Sequence, residues 1–450
     1  MLKKILTTLF LIVCLVPLVR GERITTLFEQ SFYSGLALGK GARTWGMGGT
    51  SLAVPSDVLP SSWNPAGLSS LSRPALSLSF SQESLNLKTQ DGKSTTPFYG
   101  TTASMSIREN ESGLNGRGVD FAAFAFPLRV SRFRMVAQFS YSRQVPYSFA
   151  IDYGYQYRYQ SYYRFDYDYR YNANPSGGLD LLTLSLATEL FRGIRVGFHI
   201  HRWSNGFTFP SREFYDYSFE NYFGWTGEWT EEFGDRVELN ISGFSLDVGA
   251  LVNLGNRFFA GLVFRTGCRA SLQYTNTAEY RNSYSGEEMT HSVSGAGKIS
   301  LPASFGVGAS VQAFPNMLLA VDYVRTLWSR AQIWDYVRAS SGTDSPQPRD
   351  YTFPSLRPPE VVGQRDTSQL HGGMEYILRI GAVSLPLRWG LFYDEHYFYG
   401  DSGEKVVSTG YTLGLGLRWH GAAIDAAWIK GVSRSRFVRN SLRVSFSLGF

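Results

Sequence analysis

The stretch Tyr411-Thr412-Leu413-Gly414-Leu415-Gly416-Leu417-Arg418-Trp419 carries its large apolar side chains at every second position. Successive side chains of an extended strand point to opposite faces, so the Tyr, Leu and Trp share one face and Thr412, Gly414, Gly416 and Arg418 the other. The last ten residues repeat the arrangement, with Leu442, Val444, Phe446, Leu448 and Phe450 alternating with Ser441, Arg443, Ser445, Ser447 and Gly449. A soluble β-sandwich alternates too, but its outer face meets water and is usually Lys, Glu and Thr. Here the second face is Gly, Ser, Ala and isolated charges, as again in Phe305-Gly306-Val307-Gly308-Ala309-Ser310-Val311. Apolar residues toward lipid and small or polar residues toward a crowded interior are the pattern of a transmembrane β-barrel strand. Trp203, Trp328, Trp389, Trp419 and Trp428, near predicted strand ends, fit the interfacial girdles of such a barrel.

Composition agrees. A soluble globular chain carries roughly 25% charged residues; these 450 residues carry 18%, with 15% aromatic, which excludes a disordered or coiled-coil protein. Residues 1–21 read as a cleaved secretory signal: Lys3 and Lys4 precede the apolar run Ile5 to Val19, and Val19-Arg20-Gly21 offers small or apolar residues where a signal peptidase reads. The run contains Pro17 and falls short of the about 20 residues a spanning helix needs. Removing Lys3, Lys4 and Arg20 takes the net charge from +6 to +3. With no basic block, nothing suggests nucleic acid. Cys268 is then the one cysteine of the mature chain, which excludes an internal disulfide and a Cys-x-x-Cys site. No later segment is an uninterrupted apolar run long enough for a helical span.

Connection lengths predict the topology. Short turns fall near Arg129–Arg132, Arg192–Gly193, Gly255–Asn256, Phe314–Asn316, Ile380–Val383 and Gly421, and long connections occupy about 154–178, 208–238, 276–291 and 335–366. Short turns are periplasmic and long loops extracellular. Counting back from Phe450 gives twelve strands from Phe133 onward, and 117–128 and 74–87 make fourteen, provided that Tyr99–Arg108 belongs to the first long loop. The expected fold is an all-β, antiparallel transmembrane barrel (74–450) behind a signal peptide (1–21) and a segment 22–73 that does not alternate.

Two long connections are unusually aromatic. Residues 147–171 hold ten Tyr interleaved with Arg and Asp, and 208–238 hold a similar density of Phe, Tyr and Trp. Three readings stay open: mutual packing above the membrane or on lipopolysaccharide, an outer groove for a greasy ligand, or carbohydrate stacking.

Strand parity turns Arg195, Arg265, Arg388, Arg418 and Arg443 inward, with Asp247, Asp322, Glu375 and Asp425. Their principal role is expected to be pairing with one another and anchoring whatever fills the lumen; a lesser one is steering a carboxylate. His199 and His201 share an inward face, but no third ligand is evident, so no metal and no cofactor are expected. No Ser/His or Asp/His constellation of recognised spacing surrounds the six His, so enzymatic activity is not expected.

Residues 22–73 contain Gly39-Lys40-Gly41-Ala42-Arg43-Thr44-Trp45-Gly46-Met47-Gly48-Gly49 and then Trp63-Asn64-Pro65-Ala66-Gly67-Leu68. They lack the Gly-Lys-Ser/Thr ending of a phosphate loop. With Leu301-Pro302-Ala303-Ser304-Phe305-Gly306, Val321-Asp322-Tyr323, Trp328-Ser329, Gly373-Met374-Glu375-Tyr376 and Leu387-Arg388-Trp389-Gly390, these motifs resemble the FadL-type family of outer-membrane transporters for long-chain fatty acids and other hydrophobic compounds. The resemblance covers the N-terminal segment and the C-terminal half, and the middle by topology. It implies a fourteen-stranded barrel with an N-terminal hatch, and it assigns Asn64, Pro65 and Ala66 to the hatch motif beside an inward kink in the third strand. Pro146 in that strand cannot donate a ladder hydrogen bond, so it marks either such a kink or ordinary termination of pairing at the loop base.

The resemblance further implies uptake of a hydrophobic small molecule by capture in outer loops, passage to an apolar pocket above the hatch and exit through the barrel wall. A chain ending on Phe450 at a strand tip is similar to the terminal signal that the barrel-assembly machinery reads. A monomer in the bacterial outer membrane, surrounded by its lipid, is expected. The alternative is a non-transporting barrel that serves a structural or protein-secretion role, since the hatch motif also occurs in related barrels such as the shuttle barrel of type IX secretion.

Overall fold

The computed structural model describes residues 40–54, 62–87, 92–98, 101–107, 113–130, 133–146, 151–160, 163–221, 223–255, 257–331, 365–399, 405–433 and 437–450. The signal sequence expected at 1–21, residues 22–39 and nearly all of the connection at 335–366 lie outside them.

A five-residue helix, α1 (Ala42–Gly46), and a 3-10 turn (Pro65–Ser70) come first. Strands follow: β1 (Ala75–Leu87), β2 (Gly92–Phe98), β3 (Thr101–Ile107), β4 (Gly113–Val130), β5 (Phe133–Pro146), β6 (Ile151–Gln160) and β7 (Tyr163–Ala173). The middle holds β8 (Ser176–Phe191), β9 (Ile194–Ser204), β10 (Gly206–Asn221), β11 (Thr226–Asn253), β12 (Phe258–Arg265), β13 (Cys268–Asn282) and β14 (Glu287–Leu301). The last seven are β15 (Ser304–Phe314), β16 (Met317–Thr326), β17 (Thr367–Ile380), β18 (Val383–Tyr399), β19 (Lys405–Trp419), β20 (Ala422–Ser433) and β21 (Phe437–Gly449).

Fourteen of these close a ring of antiparallel pairs. From β1 the order runs through β4, β5, β8, β9, β11, β12 and β15. It continues through β16 to β21 in sequence and returns to β1, where Ala75 faces Gly449. Closure gives every wall strand a partner on both sides and leaves no open edge, the condition for a sheet in hydrocarbon. The alternation read from sequence sets the two faces. On β21, Leu442, Val444 and Phe446 are exposed while Ser441, Arg443 and Ser445 are buried. Leu76, Phe80, Phe124, Leu182, Leu262, Leu391 and Leu415 on other strands extend the same apolar exterior, far beyond the scattered apolar residues water tolerates. Tight turns at 192–193, 315–316, 381–382 and 420–421 join wall strands at one end.

The opposite end departs from expectation. The connections read as loops at 154–178, 208–238 and 276–291 are largely strand. β2, β3, β6, β7, β10, the first half of β11, β13 and β14 pair in that order into a second sheet that stands on the barrel. The piece 101–107 is one of these outer strands, so the ring keeps its even number. β11 belongs to both sheets, pairing β10 and β13 over its first half and β9 and β12 over its second.

The tryptophans need a second correction. Trp389, Trp419 and Trp428 are exposed on the outer wall, but Trp203 and Trp328 are buried inside, with Trp203 donating to Ser245 Oγ and Trp328 stacked on Tyr397. Nearness to a strand end does not fix the face; parity does, and Trp203 shares that of His199 and His201.

Candidate functional site in the barrel lumen

The hatch runs round the inside of the wall. Ala42 N–H donates to Ser445 Oγ on β21. Thr412 on β19 donates to Gly46 O and accepts from Gly48 N–H. Ser51 and Leu52 N–H both donate to Asp322 Oδ2 on β16, at 2.6 and 2.9 Å, and Ser310 on β15 donates to Ala53 O. Asn64 Nδ2 donates to Leu52 O at 2.7 Å and to Ala250 O on β11 at 3.1 Å, while its Oδ1 accepts from Ala66 N–H. Arg195 on β9 reaches Ser70 Oγ, and Arg134 on β5 reaches Leu71 O. The described hatch residues 40–54 and 62–71 thus meet wall strands from β21 back to β5, and the wall supplies partners for the backbone groups of Ala42, Gly46, Gly48, Ser51, Leu52, Ala53 and Leu71.

Wall glycines make that approach possible. A Cβ on Gly390 would lie 2.1 Å from Gly48 N, one on Gly373 2.1 Å from Met47 O, and one on Gly261 1.9 Å from Leu52 O. Gly197 and Gly249 are closed in the same way by Pro65 and Asn64. The small inward residues that distinguish these strands from a soluble sheet are therefore the seat of the hatch. Asn64, Pro65 and Ala66 rest on β9 and β11, the fifth and sixth wall strands, not on the third. Pro146 ends β5 opposite Gly178, and the ladder steps out of register just before it, between Arg143 and Val145.

Charges lock the seat. Glu375 accepts Arg43 Nε and Nη2 at 3.0 and 2.7 Å and Arg388 Nε at 2.6 Å, with Arg418 Nη2 at 3.6 Å. Arg388 passes on to Asp425 at 2.7 Å. Arg443 holds Asp120 at 2.8 Å and Glu83 at 2.6 Å, and its guanidinium lies 4.7 Å from the Trp45 ring centroid. Asp247 gathers His199, His201 and Arg265, and Arg265 also donates to Trp63 O. Buried charges are tolerable only when paired and hydrogen-bonded; the Arg43–Glu375 pair, Arg265 on Trp63 O and Arg443 over Trp45 tie this wall network to the hatch. Arg43, Glu83 and Asp120 are not among the charges that parity singles out. Asp120 sits in a bulge, because β1 pairs Ser79 with Phe121 but Phe80 with Val119, and a bulge interrupts the alternation parity depends on.

Above the barrel the outer sheet is aromatic. Tyr217 stacks on Trp229 with centroids 4.8 Å apart, Tyr167 lies 5.2 Å from Tyr217, Tyr169 5.0 Å from Tyr215, and Phe233 4.9 Å from Tyr280. One buried apolar cluster continues from these rings through Leu179, Trp203 and Leu272 to Trp328, Tyr397 and Val406 at the barrel mouth. A second, with Trp45, Leu52, Trp63 and Phe392, joins the hatch to the wall below. In the outer sheet, burial beside Glu213 pushes the Tyr215 hydroxyl well above the usual phenol range, and burial raises Asp235 to about 6. Tyr215 therefore stays a neutral phenol, and Asp235 holds its proton to a higher pH than an exposed carboxyl would.

No family model and no curated protein sequence matches the chain. Solved structures do match. A FadL homologue of Pseudomonas aeruginosa superposes with a TM-score of 0.59 at 12% identity, covering 92% of this chain and 99% of that one. The toluene transporter TodX of Pseudomonas putida gives 0.53 at 15% identity over 92% and 99%. The CymD monoaromatic hydrocarbon channel gives 0.52 at 13% identity over 92% and 98%. At these identities the likeness shows the barrel fold alone.

Proposed function

We propose that this chain is an outer-membrane channel for the uptake of hydrophobic small molecules, long-chain fatty acids or monoaromatic hydrocarbons among them. The observation that carries the reading is the continuous buried cluster of aromatic and aliphatic side chains from the outer sheet to the mouth above the hatch. Each CH₂ returned to water costs about 0.8 kcal/mol, so a greasy solute needs an apolar route rather than a water-filled pore. Long hairpins face outward and tight turns face the periplasm. A ligand enters between the aromatic strands of the outer sheet, descends past Trp203 and Tyr397 and stops above the hatch. A side exit needs a break in the wall ladder. The β1–β4 seam steps at Asp120, whose partner Arg443 covers Trp45 on the hatch, and we assign the exit to that seam. The resemblance to a FadL homologue and two hydrocarbon channels supports the ligand class.

The close seating of the hatch on wall glycines favours a second reading, a static barrel with a structural or secretion role. Uptake by cells producing the wild-type barrel, the Asn64→Ala variant or neither separates the two. The variant loses three hatch hydrogen bonds, and the channel reading expects palmitate uptake to change several-fold with insertion intact. Palmitate uptake no greater with the wild-type barrel than without it argues for the static barrel.

A further inference from the structure

We propose that His199, His201 and Asp247 bind one divalent transition-metal ion of the zinc class in the lumen, immediately above the hatch. The three are buried, and their donor atoms all lie within 4.8 Å of one another. His199 and His201 alternate onto the inward face of β9, and Asp247 stands opposite His199 on β11. Asp247 Oδ2 is 3.1 Å from His201 Nε2 and 3.7 Å from His199 Nδ1. Two ligands of a tetrahedral zinc ion at bond lengths near 2.0–2.1 Å are about 3.3 Å apart, so these spacings need only small side-chain shifts to close on an ion.

Two further observations point to a ligand. Among the described residues, the buried Nε2 of His199 finds no hydrogen-bond partner and its Nδ1 has only Asp247, at 3.7 Å, a costly arrangement for an imidazole unless something occupies it. His201 is already oriented: Thr183 Oγ1 lies 2.7 Å from its Nδ1, leaving Nε2 to face Asp247. A ligating histidine characteristically has its other nitrogen held in this way. The set of two imidazoles and one carboxylate suits zinc and its first-row neighbours and leaves a coordination position open.

The location ties the ion to the hatch. Gly197 and Gly249, two residues toward the tight-turn end from His199 and Asp247, are the positions where Pro65 and Asn64 rest on the wall. Arg265 also faces Asp247, its Nε 3.4 Å from Oδ2. Ion and guanidinium therefore share one carboxylate, which lowers affinity below that of a dedicated structural site. This inference stands independently of what the channel carries.

The experiment uses the full barrel in detergent, stripped with EDTA and titrated with Co²⁺ and then Zn²⁺. The wild type should take up one ion per chain, develop the visible absorption of cobalt bound to nitrogen and oxygen, and lose it when zinc is added. His201→Ala should abolish the absorption, whereas His291→Ala, at an exposed outer-strand position, should keep it. Thr183→Val retains the side-chain shape and should weaken binding about tenfold. Should His201→Ala fail to fold, the wild-type titration and Thr183→Val still decide. A folded wild type that binds no ion, or equal binding by wild type and folded His201→Ala, would overturn the proposal.

Discussion

Arg43 of the hatch and Glu375 of the wall, 332 residues apart, form a two-pronged buried ion pair at 3.0 and 2.7 Å. Glu375 also receives Arg388, whose side chain is wholly withdrawn from solvent and whose second acidic partner is Asp425. The two ends of the pair are thus unequal. Glu375→Gln leaves Arg43 and Arg388 short of charge and should cost about 3–5 kcal/mol. Arg43→Ala leaves Glu375 still paired and should cost less, about 1–3 kcal/mol, yet free the hatch. Guanidinium unfolding in detergent checks the order, and planar-bilayer recording should show higher conductance for Arg43→Ala than for the wild type.

Adjacent glycines give a sharper contrast. A methyl group on Gly373 would strike Met47 O, whereas one on Gly372 would meet nothing within 4 Å. Gly373→Ala should destabilise by about 1–3 kcal/mol through overpacking and displace the hatch. Gly372→Ala should stay within about 0.5 kcal/mol of the wild type. Equal midpoints for the two variants would mean that the hatch does not rest on the wall as described.

Asp235 gives the outer sheet a pH dependence of known sign. Burial, with Glu213 nearby, raises its folded pKa to about 6 from an ordinary value near 3.8. The folded state then holds its proton more tightly than the unfolded chain, so stability falls as pH rises from about 4 to about 6 and stays lower above. Asp235→Asn should melt above the wild type at pH 8, and the gap should vanish near pH 4. Near-ultraviolet circular dichroism of the aromatic strands follows this transition.

On the outer sheet, ring and hydroxyl separate. Tyr217 stacks closely on Trp229, whereas its hydroxyl reaches Glu231 at a long 3.4 Å. Tyr217→Phe should bind palmitate like the wild type, and Tyr217→Ala should bind at least about tenfold more weakly. Isothermal titration of both variants reads the difference.

The ring of fourteen strands is legible because period-two alternation with Gly and Ser on the inner face suits few architectures besides a membrane barrel, and because the tight turns mark one end. The outer sheet escapes a reading by loop length although its signal is present: Asp166-Tyr167-Asp168-Tyr169-Arg170-Tyr171 alternates as strictly as any wall strand. Its charge makes it look like loop, whereas it is a strand with one aromatic face and one wet face. Parity names the inward charges one at a time. Which of them meet, and that Arg43 joins them, depends on contacts between residues hundreds of positions apart, which no local period encodes. Asp247 as a companion to His199 and His201 belongs to the same class of information.

Uptake of greasy solutes stands or falls on chain-length-dependent binding, read by native mass spectrometry of the delipidated barrel titrated with palmitate and with butyrate as a short-chain control. A hydrophobic channel should bind palmitate saturably and butyrate not at all, and should lose the palmitate complex when Tyr217 and Trp229 are both changed to Ser. A folded wild-type barrel that binds neither acid, or binds both alike, would contradict the channel reading.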